Sequence, residues 1–426
     1  MVKQLLIFAL LIIMGNSYSQ NVIIMGNAEG QSEKLVRVVT YADEFSNLEK
    51  TIAITETDNS GNFALNFEIS QTQFGFFALG LEKGEFYLTP GANYNINIPM
   101  DTSQIEGSIF DRLPLSLTIS TDDGGIQNSI EEFNSKYNDF IYNNISSIYR
   151  SRNKSVVTNF VNETQDRTEN NKSEFVKNYI DYSLASLLWL SKKENSQSIL
   201  ENYFINKPVL YKNIQYTDFF KEFFKDYFNS ENTFRYEDLI PAINSHESIE
   251  MLDKLIKRDS LIAMDTRVCE LVEMLILSRN YHDRYVEKDM VISKYNEIAK
   301  NSEFVENREI ALNFITKLET LQNGTAAPVF SLLDINDSVI TLESLKGRFI
   351  LLSFVKNDCK ICEFHMKLID DIQKQIGNEL DIITIVEGND VNRVSEYSLQ
   401  SGLNWHILKT GKDILLMEEY NIRAYP

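Results

Sequence analysis

The sequence has few cysteines, a deficit of basic residues and no long apolar run after its first twenty residues. Three Cys in 426 residues are too few for a disulfide-stabilised scaffold. Forty-one Lys and Arg against 61 Asp and Glu give a net charge of −20, which would repel nucleic acid and anionic membranes, so neither is expected as a partner. The composition, 43% hydrophobic and 24% charged, is that of a folded protein. At about 150 residues per domain, the length predicts roughly three domains.

The first residues have the pattern of a secretory signal peptide. Lys3 supplies a basic end, an apolar run covers Leu5–Met14, and small polar residues precede a cleavage site before Gln20. The run is shorter than the roughly 20 residues that a membrane-spanning helix needs. We therefore predict a signal peptide at residues 1–19 and a protein exported to the periplasm or cell envelope. An uncleaved N-terminal anchor is the alternative, whereas no Cys lies near the cleavage site to carry a lipid.

Glycine is missing from the whole segment Ile126–Asn323, although eleven Gly precede it and six follow it. Gly supplies positive φ at tight turns, so β domains need it often, while helices joined by polar loops do not. The distribution predicts three regions. We expect an antiparallel β-sandwich at residues 20–121, an all-α region at 126–321 and an α/β domain at 325–426.

The first region reads as a sandwich because short β-branched or aromatic runs alternate with turn signals. Asp58–Gly61 and Pro90–Asn93 are two such turns. The runs cover residues 34–41, 51–55, 63–69, 74–81, 85–88 and 94–98. The acidic residues are scattered among runs and turns, as on solvated faces. With neither His nor Cys here, we expect a binding, spacer or purely structural role.

Helical spacing dominates the middle region, as in Val176, Ile180 and Leu184. Aromatic pairs between residues 219 and 228 recur at four-residue intervals, which predicts one aromatic helix face packed in a core. Cys269 lies among apolar neighbours and is expected to be a small buried side chain. The two His of this region have no Cys or acid at ligand spacing, so no metal site is predicted.

The last hundred residues alternate between strand and helix patterns. A hairpin is predicted around Asn336–Asp337, then a buried strand at Phe349–Val355 and a helix at Cys359–Ile376. The later elements are a strand at Leu380–Val386, a helix at Val391–Leu403, a strand at Trp405–Leu408 and a helical turn at Asp413–Tyr420. Strand, helix and strand joined by short loops predict a parallel sheet with right-handed crossovers.

Two of the three Cys form the motif Cys359-Lys360-Ile361-Cys362, where the buried strand passes into the helix. The N–H groups and dipole of a helix N-terminus stabilise an anion, which favours a thiolate at Cys359. The negative charge of Asp358 opposes a thiolate at Cys359, and the positive charge of Lys360 favours it. Because these two effects largely cancel, the helix end should decide whether the pKa of the thiol is lowered. We expect Cys359 to attack a disulfide and form a mixed disulfide, which Cys362 then resolves.

Two other interpretations of this motif stay open. A zinc site would need further ligands, for which His365 and His406 are the nearby candidates. An inert structural disulfide would close a very short loop and constrain little of the unfolded chain. The redox-active interpretation accounts for both the spacing and the position at a helix start. It requires neither a metal nor a cofactor.

Several segments of residues 325–426 match one family. They are Ala327–Phe330, Leu342, Leu345–Phe354, the CxxC motif and Tyr420–Pro426. On these segments the region resembles the TlpA-like branch of the thioredoxin superfamily, exported thiol-disulfide oxidoreductases. The whole chain also resembles a Bacteroidetes-type arrangement, in which a small N-terminal β domain and a helical segment precede the redox domain. The resemblance implies a multidomain protein that ends in a thioredoxin-like α/β domain.

The resemblance implies a role for each matching site position. Cys359 would be the nucleophile and Cys362 the resolving thiol. Pro426 would be the cis-proline that faces the disulfide and shapes the substrate groove. Ser353 stands where relatives have a buried polar residue that helps protons reach the second thiol. His365 stands where an acid is often found, and is either a modulator of the dithiol or a solvated helix residue.

Two departures from the family pattern bear on these expectations. Asp358 replaces the aromatic residue, commonly Trp, that usually precedes the first Cys, which affects redox potential and substrate preference. The family fold would also continue with two strands and a helix beyond Pro426. We therefore expect the sequence to be a fragment whose redox domain is truncated after the cis-proline position, leaving a sheet edge unpaired.

The expected function is that of an exported thiol-disulfide oxidoreductase, a disulfide reductase acting on periplasmic proteins through Cys359 and Cys362. The implied partners are disulfide-containing protein substrates and a membrane thiol electron donor. The alternative is a non-catalytic cell-envelope binding or assembly protein with a vestigial thioredoxin-like domain. Peroxide reduction by Cys359 is less favoured, since the surrounding residues do not resemble a peroxidase pocket.

Overall fold

The structure is a computed structural model, and it describes residues 19–99, 114–150, 154–168, 171–230, 234–246, 248–376, 380–411, 413 and 415–426. The predicted signal peptide lies outside these residues except for Ser19. Within the described ranges, no helix has both the length and the apolar character needed to cross a membrane.

The N-terminal region consists of two four-stranded sheets, ordered β4-β1-β7-β8 and β3-β2-β5-β6. Alternating side chains of the two sheets face each other and form one apolar core, in which the Phe63 and Phe77 rings lie 5.1 Å apart. The strands are β1 (Gln20–Ala28), β2 (Leu35–Tyr41), β3 (Glu49–Glu56), β4 (Asn62–Ile69), β5 (Gln73–Leu79), β6 (Glu82–Leu88), β7 (Asn93–Ile98) and β8 (Thr118–Thr121). Two facing sheets are what the sequence predicts.

The prediction of an entirely antiparallel sandwich is wrong at one strand pair. Strand β1 runs parallel to β7, from the pair Ile23 and Asn93 to the pair Ala28 and Ile98, because β7 crosses from the sheet of β6 to the other sheet. Gly26 permits the close approach, since a Cβ there would lie 1.8 Å from the carbonyl oxygen of Ile96. The other strand pairs of these sheets are antiparallel.

Helices follow without any strand among the described residues from Ile126 to Glu319. They are α1 (Ile126–Tyr149), α2 (Ser155–Thr168), α3 (Glu174–Leu190), α4 (Ser196–Ile199), α5 (Ile214–Ser230), α6 (Tyr236–Asn244), α7 (Glu250–Ile256), α8 (Thr266–Asn280), α9 (Lys288–Asn301) and α10 (Val305–Glu319), with a π-helical turn at Leu200–Phe204 and a 3₁₀ turn at Ile262–Met264. The aromatic face of α5 and the Cys269 side chain are buried in one core, which confirms both predictions.

A loop between β2 and β3 inserts into the helical region. Phe45 is buried against Phe220 of α5, with ring centroids 5.4 Å apart. The neighbouring Asp43 and Glu44 are also buried, so the expectation that the acids of this region lie on solvated faces is wrong here. They are buried because the loop packs against the helical region. Three lysines of that region donate hydrogen bonds to carbonyl oxygens of the loop: Lys212, Lys221 and Lys317.

The C-terminal region has a five-stranded sheet ordered β10-β9-β13-β12-β11. Its strands are β9 (Ser331–Asp334), β10 (Val339–Thr341), β11 (Phe349–Val355), β12 (Leu380–Val386) and β13 (His406–Lys409), and its helices are α11 (Lys360–Ile376), α12 (Asn392–Ser401) and α13 (Leu415–Glu419). The predicted hairpin and the parallel strands β11, β12 and β13 are confirmed.

Strand β11 forms one edge of this sheet, as described. The prediction that this strand is buried is wrong for its first five residues: Phe349 is exposed and the next four residues are half-buried. The reason is that β11 has a neighbouring strand on one side, β12, and none on the other side in the described sheet. Apolar side chains along one face of α11 are also exposed, at Ile361, Phe364, Leu368, Ile372 and Ile376.

The first region contributes to the core of the last one. Leu81, in the turn between β5 and β6, is buried in the same apolar cluster as Phe354 of β11 and Met417 of α13. The described elements therefore change from β to α to mixed α/β along the chain. The boundaries of the three predicted domains stay predictions.

Candidate dithiol site

The CxxC motif lies in the connection between β11 and α11. Strand β11 ends at Val355, and α11 begins at Lys360. The carbonyl oxygen of Cys359 accepts a hydrogen bond from the N–H of Glu363 at 3.2 Å, and its Sγ accepts one from the N–H of Cys362 at 3.1 Å. The carbonyl of Cys359 thus accepts the first backbone hydrogen bond of the helix, and its sulfur accepts from one of the N–H groups that a helix start leaves unpaired.

The structure joins Cys359 and Cys362 in a disulfide, with the two Cα atoms 5.2 Å apart. Cys362 is 1% exposed, whereas Cys359 is half-buried. The outer sulfur is therefore the more accessible to a visiting disulfide, and the inner one is shielded. The nucleophile and resolving roles that the sequence predicts for them stay predictions.

A second helix start meets the dithiol loop, and sequence reasoning missed it. Because β11 and β12 are parallel neighbours, the helices that follow them begin at the same edge of the sheet. The Oδ1 atom of Asn357 accepts hydrogen bonds from the N–H groups of Arg393 at 3.1 Å and Val394 at 3.3 Å. Two residues before Cys359, the loop is therefore fastened to the first turn of α12.

The other predicted site residues lie on three different elements. Ser353 is half-buried in the middle of β11, opposite Thr384 of β12, so it is not the fully buried polar residue that the resemblance implies. Edge position explains this, since no strand covers its other side in the described sheet. His365 is exposed on α11, with its ring against that of Phe364 at 6.3 Å.

Pro426 follows Tyr425 through a cis peptide bond and is exposed. Tyr425 is buried in the apolar cluster that also contains Cys362, and Cys359 packs against that cluster. The segment before Pro426 is held by the hydroxyl of Tyr420, which donates to the carbonyl oxygen of Pro328 at 2.7 Å. The structure thus places the predicted cis-proline segment in the same core as the dithiol.

The group of potential metal ligands in the described ranges lies in the helical region, at Asp253, Cys269 and Glu273. Lys257 places its ammonium nitrogen 2.6 Å from the Asp253 carboxylate. Burial raises the pKa of the Glu273 carboxyl and of the Cys269 thiol well above their usual ranges. Asp253 lies on α7, and Cys269 and Glu273 lie on α8, so we interpret the cluster as part of the packing of these two helices.

Comparison with known proteins finds no matching family model. The thioredoxin-like protein YneN of Bacillus subtilis is 28% identical over 110 residues, 25% of this chain and 63% of that protein. The chain therefore spans less than two thirds of the length of this curated relative.

Two solved structures are similar to the same share of the chain. The thioredoxin domain of a thiol-disulfide oxidoreductase from Bacteroides vulgatus is 18% identical, covers 25% of this chain and 78% of its own, and has a TM-score of 0.23. A thiol:disulfide interchange protein from Bacteroides sp. is 20% identical, with 25% and 72% covered and a TM-score of 0.22. These scores are too low to support an inference about function. The sequence match, the sheet order and the CxxC at a helix start indicate a thioredoxin-like region over about a quarter of the chain.

Proposed function

We propose that the chain is an exported thiol-disulfide oxidoreductase that reduces disulfides of protein substrates with the Cys359 and Cys362 pair. One observation carries the proposal: a half-buried sulfur at the start of α11 is bonded to a buried sulfur one helical turn further on. The pair can hold two electrons as a dithiol and release them by closing the disulfide.

In the reducing direction, the Cys359 thiolate attacks one sulfur of a substrate disulfide. The substrate bond breaks, a mixed disulfide forms, and the first substrate sulfur leaves as a thiolate that takes a proton. Cys362 then loses its proton and attacks the Cys359 sulfur, which expels the second substrate thiolate. Two electrons have passed to the substrate, and the bond between Cys359 and Cys362 has formed.

The chain's own groups favour this sequence of steps. The Cys362 N–H donates to the Cys359 sulfur, so a thiolate there keeps a hydrogen bond and lies at the positive end of the α11 dipole. The burial of Cys362 protects its thiol from outside oxidants until Cys359 carries the mixed disulfide that Cys362 attacks. The proposal requires a membrane thiol donor to reduce the pair again, and it requires no bound cofactor.

Insulin reduction by the full chain, with dithiothreitol as electron source, tests the proposal. Cys359→Ser should abolish turnover, and Cys362→Ala should accumulate mixed disulfides with insulin chains that can be seen by mass spectrometry. Cys269→Ser is the matched control and should keep full activity, because its thiol is remote in the sequence and buried in another core. Unchanged activity of Cys359→Ser would refute the proposal.

One observation favours a second candidate, a non-catalytic envelope protein with a vestigial redox region. The side chain next to Cys359 is the exposed carboxylate of Asp358, at 84% exposure, where the family resemblance implies an aromatic residue. Titration in thiol buffers of defined potential separates the two functions. A vestigial pair would stay in one oxidation state over the whole range, whereas an active pair would titrate within it.

A further inference from the structure

Arg393, in the first turn of α12, contacts carboxylates on both sides of the CxxC motif. Its Nε donates to Oε1 of Glu363 at 2.8 Å, and its Nη1 lies 3.8 Å from Oδ1 of Asp358. Asp358 directly precedes Cys359, and Glu363 directly follows Cys362. One guanidinium thus spans the two ends of the motif.

The backbone of Arg393 fixes this position. Its N–H donates to Oδ1 of Asn357, which also accepts from Val394. The side chain and the main chain of Arg393 are therefore both bonded to the segment that carries the dithiol.

The charges explain what such a contact does. Asp358 and Glu363 would together oppose a negative sulfur between them, and Arg393 compensates one of these two charges. The charged and titratable groups on the segments around the loop are Lys356, Asp358, Lys360, Glu363 and His365 from the β11–α11 connection and α11, Glu387, Asp390 and Arg393 from the segment after β12, and Arg423 from the approach to Pro426. Of these, Arg393 is the cation paired with both carboxylates that flank the motif: it is hydrogen-bonded to Glu363 and lies 3.8 Å from Asp358.

We propose that Arg393 is a positioning residue that sets the acidity of the Cys359 thiol by holding the carboxylates of Asp358 and Glu363 and offsetting part of their negative charge. The inference rests on the proposed function, since it assigns to Arg393 the control of the attacking group. The effect is moderate, because the Arg393 and Asp358 side chains are 39% and 84% exposed and water screens their charges.

The test measures the pH dependence of alkylation at Cys359 in the reduced full chain, followed by mass spectrometry with limiting iodoacetamide. Arg393→Met should raise the midpoint pH by about half a unit to one unit, given the usual size of charge effects on thiols. Arg393→Lys keeps the charge and should stay near the wild type. The double variant Asp358→Asn with Arg393→Met removes one charge of each sign and should move back toward the wild-type midpoint.

A matched control separates charge from folding. Arg348 also pairs with a carboxylate in this region, Asp381 at 2.9 Å, but at the opposite end of β11, so Arg348→Met should leave the midpoint unchanged. If Arg393→Met lowers the melting temperature without moving the midpoint, the residue only fastens α12, and the inference is wrong. The same conclusion follows if Arg393→Lys behaves like Arg393→Met.

The outcome is distinguishable from a failure of the proposed function. Alkylation needs no substrate protein and no turnover, so the midpoint can shift in a chain that fails to reduce insulin. That result would refute the oxidoreductase proposal and leave the control of thiol acidity by Arg393 intact. Normal insulin reduction without any midpoint shift in Arg393→Met would do the reverse.

Discussion

Arg37 of β2 and Glu418 of α13 form a bidentate ion pair between the first and the last region of the chain. Nη1 lies 2.7 Å from Oε2 and Nη2 lies 2.9 Å from Oε1. Arg37 is 1% exposed and also donates to the carbonyl oxygen of Gly80. Glu418 has a second cation, Lys83, at 3.2 Å. The β-sheet thus holds the helix that leads to Pro426.

We predict that the two halves of this pair are not equivalent. Glu418→Gln leaves the buried Arg37 charge without a counterion and should cost about 3 kcal/mol of unfolding free energy. Arg37→Met should cost about half as much, because Glu418 keeps Lys83 and is partly exposed. Urea unfolding followed by Trp405 fluorescence in a Trp189→Phe background reports on the last region. Glu419 is exposed, and Glu419→Gln is the control. Equal losses of unfolding free energy in all three variants would contradict the prediction.

We predict that the stabilisation by the Arg37–Glu418 pair is lost as the pH falls. Burial by itself would raise the pKa of the Glu418 carboxyl, but Arg37 and Lys83 outweigh it and lower the pKa. An acid with a lowered pKa contributes stability above its unfolded-state value, and the contribution is lost as the pH falls through the folded value. The difference in unfolding free energy between the wild type and Glu418→Gln should therefore become smaller as the pH is lowered. A constant difference down to pH 3 would contradict this.

Glu44 should make stability depend on pH in the opposite direction to Glu418. Both of its carboxylate oxygens are buried without a hydrogen-bond partner in the described structure, and burial raises the pKa of the carboxyl to about 8 despite Lys212 and Lys221. The folded state then binds a proton that the unfolded state releases above its ordinary pKa, so stability falls with rising pH up to about 8. Glu44→Gln, which mimics the protonated acid, should be more stable than wild type at pH 7 by about 3 kcal/mol and equal to it near pH 4.

Urea unfolding of both forms across this pH range measures the Glu44 effect. The neighbouring exposed Glu49→Gln serves as the control for a lost surface charge. A Glu44→Gln variant whose advantage does not change between pH 4 and pH 8 would show that the carboxyl is not the titrating group.

Phe45 should anchor the β2–β3 loop in the helical core. The ring is 3% exposed and lies against Phe220 and Tyr211. Phe45→Ala leaves a cavity and should cost about 3 kcal/mol, measured by urea unfolding with Trp189, which packs on the same aromatic cluster. Tyr142→Ala, at 84% exposure, is the control. A loss no larger than that of the control would mean that the loop is not anchored by this ring.

Cys269 should resist alkylation in the folded protein. Burial and the nearby Glu273 and Asp253 carboxyl groups raise the pKa of its thiol, and the side chain is 1% exposed. Iodoacetamide at pH 8 should therefore label Cys359 in the reduced native chain and reach Cys269 only in urea, as followed by peptide mass spectrometry. Labelling of Cys269 at the rate of Cys359 without urea would contradict the burial.

Local patterns predicted local features well. The strand and helix on either side of Cys359, the aromatic core face of α5 and the buried Cys269 follow from residue spacing, which the structure reproduces. Strands β1 and β8 were not predicted. The short β8 is polar at the surface, and β1 depends on partners about forty and seventy residues away rather than on a local signal.

Features made by tertiary contact could not be read from spacing. Asn357 and Arg393 are 36 positions apart and meet only because β11 and β12 are parallel neighbours. The burial of Glu44 is likewise decided by the helices that receive its loop, since an acidic loop has the same sequence pattern whether it is solvated or covered.

Leu81 belongs to the first region of the chain but packs in the apolar core of the last region. The apolar cluster behind the dithiol contains the Leu81 side chain from the first region, which leaves the ribosome some 280 residues before Cys359 and Cys362. Chains generally fold from the N-terminus as they emerge, so the sulfur pair would reach a surface that is already formed. An excised C-terminal piece would lack Leu81, and the apolar cluster that contains Cys362 would be incomplete.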